Sequence, residues 1–276
     1  MSMIHLENVC FAYNKQSILQ DLNLNLPSGH VCGLLGENGV GKSTLLKCIA
    51  GTLFPDSGNI LVQGLVPQDR QRKFLSDIFF IPEDFILPSL SISGYMHLYA
   101  PFYKNFDAAL FFSMLKELEV PAQAHLDALS FGQRKKVLIA FGLACNTKVV
   151  LMDEPTNGLD IPSKAQFRKM MARTITTDRC FLISTHQVRD LDNLIDYLIV
   201  LKNQQVVVAE STAAIESRLS FQLSGHAPES AFYSERSLRG TLSVSPNTSG
   251  EESSIDIELF FKALLLNESA IRSVFN

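Results

Sequence analysis

Hydrophobic and polar positions along the chain change period several times, and each change marks a different kind of element. Ile4, Leu6 and Val9 fall roughly in period two, and Leu22, Leu24 and Leu26 do so strictly. That alternation predicts half-buried antiparallel strands over residues 2–29, with Tyr13 in the polar turn between them. His30–Leu35 is mostly apolar and predicts a buried strand. Residues 42–50 predict a helix, and Gly51 its stop. Pro55-Asp56-Ser57-Gly58 signals a turn before a short strand at 59–63. Residues 68–77 are charged and are expected at the surface.

From 82 to 145 the period becomes helical, with an apolar face at Leu110, Phe111, Met114, Leu115 and Leu118. Three short apolar runs follow, at 149–152, 180–183 and 198–201. A helical stretch is expected between each and the next. Strand-helix alternation implies right-handed crossovers and a parallel sheet covered by helices on both faces. Residues 203–210 predict a final hairpin strand. Beyond 210 the composition shifts: 224–254 is rich in Ser, Gly, Pro and Glu, and 255–266 is apolar enough to pack back as a helix. The fold of this tail stays open.

The densest chemistry lies at residues 36–44, Gly36-Glu37-Asn38-Gly39-Val40-Gly41-Lys42-Ser43-Thr44. The pattern G-x-x-x-x-G-K-S between a strand and a helix is that of a phosphate-binding loop. Gly39 and Gly41 let backbone N–H groups approach a phosphate chain, and Lys42 can reach its outer phosphates. The Ser43 hydroxyl can hold magnesium. A dinucleotide-binding loop would need neither the lysine nor the serine. The run at 149–152 ends in Asp153 and Glu154. A carboxylate at Asp153 can hold the metal's water shell, and Glu154, at the carboxyl end of the strand, can deprotonate an attacking water. Ser130 is an N-cap candidate before a basic, then apolar helix at 134–144. Free N–H groups beside its hydroxyl offer a second place for phosphate.

These motifs together resemble the nucleotide-binding subunit of an ABC (ATP-binding cassette) transporter. The order agrees from an aromatic at Tyr13, through Walker A at 36–44, a switch loop at 82–84, the signature at 129–133 and Walker B at 149–154, to the loop Asn157-Gly158-Leu159-Asp160 and His186. The resemblance covers roughly residues 2–210. It implies an α/β phosphate-loop NTPase core with a mainly parallel sheet, an N-terminal antiparallel β subdomain and an inserted α-helical subdomain at about 84–145. Residues 1–210 would form the ATP-binding domain, with 211–276 as a C-terminal extension. It further implies ATP and Mg2+ as ligands and a head-to-tail dimer, with itself or with a related subunit. Walker A of one subunit and Ser130, Gly132 and Gln133 of the other would sandwich each nucleotide. Tyr13 would stack on adenine, His186 would contact the γ-phosphate, and Asp160 would cross the interface. Glu154 would be the general base.

Two positions depart from the family pattern. Phe131 stands where the signature usually has glycine, and Glu83 where the switch loop usually has glutamine. Glu83 can still accept from the attacking water or touch the magnesium shell, but it adds negative charge near the phosphates. Phe131 must find a pocket or cover the interface.

Composition narrows the functions. With 276 residues, 46% hydrophobic and 19% charged, a large core is available. The net charge of -4 gives no support to a nucleic-acid partner. Five cysteines without a C-x-x-C pair predict buried, reduced thiols and a cytosolic compartment. No stretch is apolar enough to span a bilayer. The resemblance implies ATP hydrolysis that powers an integral membrane permease at the cytoplasmic face, and the lack of a spanning stretch makes that permease a separately encoded chain. A soluble ABC ATPase acting on ribosomes or DNA is the alternative. Residues 85–103 carry no Asp, Glu, Lys or Arg. Phe85, Ile86, Leu87, Leu90, Tyr95 and Tyr99 are expected to line a groove for a permease helix.

Overall fold

Two long strands open the chain, β1 (Ser2–Tyr13) and β2 (Gln16–Pro27). Their antiparallel register turns at Asn14 and Lys15, both with positive φ, as a two-residue hairpin of this twist demands. The buried positions include Ile4, Leu6, Val9, Leu22, Leu24 and Leu26, matching the alternation of the sequence. Strand β3 (His30–Leu35) enters the core, the phosphate-loop residues follow, and helix α1 (Lys42–Ile49) leaves from them. Strand β4 (Ser57–Val62) returns to pair antiparallel with β1. Residues 68–77 differ from expectation. They contain helix α2 (Arg72–Ser76), which buries Phe74, and Asp77 is buried just before strand β5 (Ile78–Ile81). One large ring is enough to anchor an otherwise charged segment.

The insert holds helices α3 (Ile92–Tyr99), α4 (Ala108–Glu117) and α5 (Phe131–Ala144). Asp107 and Ser91 cap α4 and α3 by accepting from backbone N–H groups three residues on. The core strands β6 (Val149–Asp153), β7 (Cys180–Ser184), β8 (Tyr197–Lys202) and β9 (Gln205–Ser211) complete a six-stranded sheet. Helix α6 (Ile161–Thr174) links β6 to β7. No α-helix links β7 to β8, contrary to expectation. That crossover carries one short 3-10 turn at Val188–Asp190. Asp190, Asp192, Asn193 and Asp196 crowd it, and such side chains compete for backbone hydrogen bonds.

The sheet order is β5-β6-β7-β3-β8-β9, parallel except for the β8–β9 hairpin. Strands β3, β6, β7 and β8 are buried on both faces and divide their side chains between two apolar clusters. Val150, Met152, Phe181, Ile183 and Val200 face the helical insert and α6. Leu151, Leu182, Ile199 and Leu201 face α1 and the N-terminal sheet.

The structure describes residues 2–248, 250 and 253–275 of this computed structural model. Within the tail, helix α7 (Thr212–Arg218) precedes β10 (Leu219–Ser224), β11 (Tyr233–Ser237) and β12 (Gly240–Pro246). These make an antiparallel sheet of order β10-β12-β11, which the Ser- and Gly-rich composition had concealed. Helices α8 (Ile257–Leu266) and α9 (Glu268–Ser273) follow. Leu219, Val244, Phe260 and Leu264 join the same apolar cluster as Val200 and Val208 of the core sheet. Ion pairs Arg189–Glu258 (2.6 Å) and Lys202–Glu268 (2.9 Å) fasten the tail to the core. Cys32, Cys48, Cys145 and Cys180 are buried and Cys10 is half-buried; all five are free thiols.

Candidate nucleotide site

The site is built at the carboxyl ends of β3 and β6. Gly41 precedes α1 with φ 113, in the left-handed region that favours glycine. A Cβ there would meet the Ile18 carbonyl at 3.1 Å and the Leu19 side chain at 3.0 Å, so the loop can lie this close to β2 only as glycine. Lys42, Ser43 and Thr44 form the first turn of α1, whose opening N–H groups have no partner within the helix. Together with the helix dipole they favour an anion at this end. A cavity of about 340 Å³ lies against this turn, also lined by Tyr13, Asn38, Gly39, Glu83, Asp153 and Glu154.

Lys42 is 7% exposed, and its ammonium donates to the carbonyls of Gly36 (2.7 Å) and Glu37 (3.2 Å). Burial holds its pKa below the ordinary lysine value, and the carboxylates of Glu154, Asp153 and Glu83 oppose that shift. Asp153 ends β6, is buried, and accepts from the Ser184 hydroxyl. Glu154 follows with φ 47. A non-glycine residue held there costs on the order of 1–3 kcal/mol and needs surroundings that over-determine it. Its N–H donates to the Ser184 carbonyl (3.1 Å), and its Oε1 lies 2.8 Å from His186 Nδ1. Tyr13 is 44% exposed and packs edge-on against Phe11, leaving ring surface beside the cavity.

Other expected residues stand apart from this cavity. Gly36 and Glu37 line a neighbouring one of about 290 Å³ with Asn38 and His186, and the Glu154–His186 contact joins the two. Val40 donates its N–H to the Glu37 carbonyl within the loop. Ser130, Gly132 and Gln133 start α5 elsewhere. Ser130 is exposed and forms a reciprocal capping box with Gln133. Asp160 caps α6 by accepting from the Ser163 N–H (2.9 Å); the Ser163 side chain first, and this N–H after it, hold its carboxyl below the usual range. It too is exposed.

Both departures from the family pattern have neighbours that explain how they are accommodated. Phe131 stacks on Phe85 with ring centres 5.2 Å apart and lies against Gly158. The Glu83 carboxylate accepts from the Asn157 side chain at 2.9 Å. Glu83→Gln is expected to retain or raise ATP hydrolysis, because the glutamine carbonyl can still accept from Asn157 and one negative charge leaves the site. Steady-state turnover and pH-rate profiles of both forms check this; a collapse of activity would show that the carboxylate itself is required.

The groove expected over residues 85–103 is corrected in part. Tyr95 is buried in the core against Phe141, while Phe85, Leu87 and Tyr99 are half-buried against the same cluster. Ile86 (95% exposed), Leu98 (53%) and Phe102 (66%) are the apolar side chains that face outward. Packing selected which members of one uncharged stretch turn inward. Sequence reasoning missed Lys135, which is fully buried beside Glu154. A signal existed: Lys135 lies three and four residues before the buried Leu138 and Ile139, on the inner stripe of α5. Among the described residues, no helix is long and apolar enough to cross a membrane.

A family model described as ABC transporter matches residues 19–157. The SkfA peptide export ATP-binding protein SkfE of Bacillus subtilis (strain 168) is 29% identical over 217 residues, 75% of this chain and 88% of that protein. The ABC transporter ATP-binding protein YtrB of the same organism is 27% identical over 194 residues, 70% of this chain; the match spans 66% of YtrB, just under two thirds. Among solved structures, a dimeric post-hydrolysis state of the ATP-binding cassette MJ0796 bound to ADP and Pi is 23% identical. It superposes with a TM-score of 0.66 over 76% of this chain and 98% of that one. With just over half of its length matched by the family model and its phosphate loop, Asp153 and Glu154 gathered at one cavity, the chain belongs to the ABC transporter family and is an ATPase of that family.

Proposed function

We propose that this chain, with residues 1–210 as its ATP-binding domain and 211–276 as an extension, hydrolyses ATP to drive a separately encoded membrane permease from the cytoplasmic face. The observation that carries the reading is the separation of two phosphate-binding ends. Lys42 and Ser43 line the cavity, whereas Ser130 stands exposed at the start of another helix. A second subunit arranged head to tail would bring its Ser130, Gly132 and Gln133 to the far side of a nucleotide in the Lys42 cavity. Such a sandwich is stable only while the γ-phosphate bridges both subunits, so hydrolysis would reopen it. The dimer described for MJ0796 and the export role named for SkfE support this reading.

In it, Tyr13 stacks on adenine and residues 36–44 bind the phosphates through backbone N–H groups and Lys42. Ser43 and Asp153 fit magnesium, which beside phosphates is ordinarily held by one or two protein groups. When bound, the ion neutralises charge developing on the phosphate oxygens. Glu154 takes a proton from the attacking water, His186 and Glu83 orient the reacting groups, and Asp160 meets the partner subunit.

The outward apolar side chains Ile86, Leu98 and Phe102 would receive the permease, and Ile86, three residues after Glu83, would be moved by dimer closure. Ile86→Glu and Phe102→Glu are expected to break co-purification with the membrane permease while ATP binding by the isolated subunit stays unchanged. Folded variants that still co-purify at the wild-type level would remove this surface from the coupling path. Mass spectrometry of the membrane proteins retained by the wild-type chain tests the reading itself.

A further inference from the structure

Lys135 is fully buried, and its ammonium donates to two backbone carbonyls, Glu154 at 2.7 Å and Asn157 at 3.0 Å. Neither partner is a carboxylate. Burying an ammonium this way is unfavourable, and a methionine or leucine would fill the space without that cost. The cost is reflected in a pKa lowered by burial and opposed by the charges of Glu83, Glu154 and Asp153. The two carbonyls bracket the turn that carries Glu154 in its left-handed conformation and leads to Asn157, the residue holding Glu83. Lys135 also lies on the rigid, capped first part of α5, five residues after Ser130.

We propose that Lys135 is a positioning residue that holds the Glu154 turn in the conformation hydrolysis requires. The proposal rests on Glu154 as general base. Without the two N–H donors, the Glu154 carbonyl loses a charge-assisted hydrogen bond. The backbone can then relax from φ 47 toward an ordinary helical or extended value. The Glu154 carboxylate would swing away from His186 and the cavity, with Lys42 and the phosphate loop undisturbed. Because Lys135 sits on the helix that Ser130 opens, a displacement of that helix by a partner's nucleotide would also be felt at Glu154.

The test is a double-mutant cycle on the full chain, read by single-turnover ATP hydrolysis and by the Kd for ATP. Lys135→Met should slow hydrolysis by about 10- to 100-fold, the range expected for losing hydrogen bonds from a charged donor, with the Kd for ATP little changed. Lys135→Gln keeps two N–H donors on a neutral group and should recover most of the rate; it also serves as the test should the methionine variant fold poorly. In a Glu154→Gln background, Lys135→Met should add no further loss, because the group it positions is already disabled. Equal losses in both backgrounds would assign Lys135 a merely structural role and overturn the proposal, as would an unchanged rate. Near-wild-type turnover of Glu154→Gln alone would instead overturn the general-base reading before any change at Lys135 is made, and the proposal with it.

Discussion

Glu154→Gln is expected to lower single-turnover ATP hydrolysis by about 10²–10⁴-fold, the usual cost of a lost general base. ATP binding should survive. The substitution is nearly isosteric, and the backbone contacts that hold this turn, from the Glu154 N–H to Ser184 and from Lys135 to the Glu154 carbonyl, do not involve the carboxylate. What changes is the group facing His186 at 2.8 Å and lining the cavity with Lys42 and Asp153. A glutamine amide can still orient a water but cannot take its proton. With hydrolysis blocked and binding intact, the ATP-bound dimer should accumulate, visible by size-exclusion chromatography. Near-normal single-turnover rates would take the role of base away from Glu154.

Ser130→Arg should abolish hydrolysis through a partner rather than within its own chain. The arginine would project from the exposed start of α5, where the serine now accepts from the Gln133 N–H at 3.2 Å. It would close that helix end to phosphate and lose the cap, whose removal typically costs about 1 kcal/mol. Lys42→Ala disables the other half of the site. Its ammonium is the buried cation nearest the loop carbonyls, held by Gly36 and Glu37. Neither homodimer retains an intact composite site. A heterodimer of the two variants retains one, pairing the Lys42 loop of the Ser130→Arg chain with the Ser130 of the Lys42→Ala chain. Purified mixed dimers should therefore regain measurable hydrolysis. Activity no higher than either parent would exclude the head-to-tail arrangement.

The phosphate loop, the acids closing β6 and the Ser130 cap were legible from the chain alone because each depends on local geometry. A loop that must bring its backbone to phosphate needs glycine at Gly41, and a helix start needs an acceptor such as Ser130 within three residues. Core strands β3, β6, β7 and β8 were equally legible, since burial on both faces leaves an uninterrupted apolar run; β5 was not, because its four residues Ile78–Ile81 are too short a run to stand out before the helical insert. The tail strands were not. β11, Tyr233–Ser237, is an edge strand and mostly polar, held by pairing with β12 and by Tyr233 packing against the large apolar cluster. Such support comes from residues distant in sequence, so no local period announces it.

The sequence by itself determined which groups are offered to a phosphate, because charge, hydroxyl and glycine positions in a short loop decide that chemistry. Tertiary structure alone decided how those groups are held. It placed Lys135 from one helix beneath the turn of another segment and set Phe131 on Phe85. It engaged Glu83 with Asn157 and turned Tyr95 inward while leaving Ile86 outside. Each of these depends on which surfaces the folded sheet and insert bring within a few ångströms, and spacing along a chain does not encode that distance.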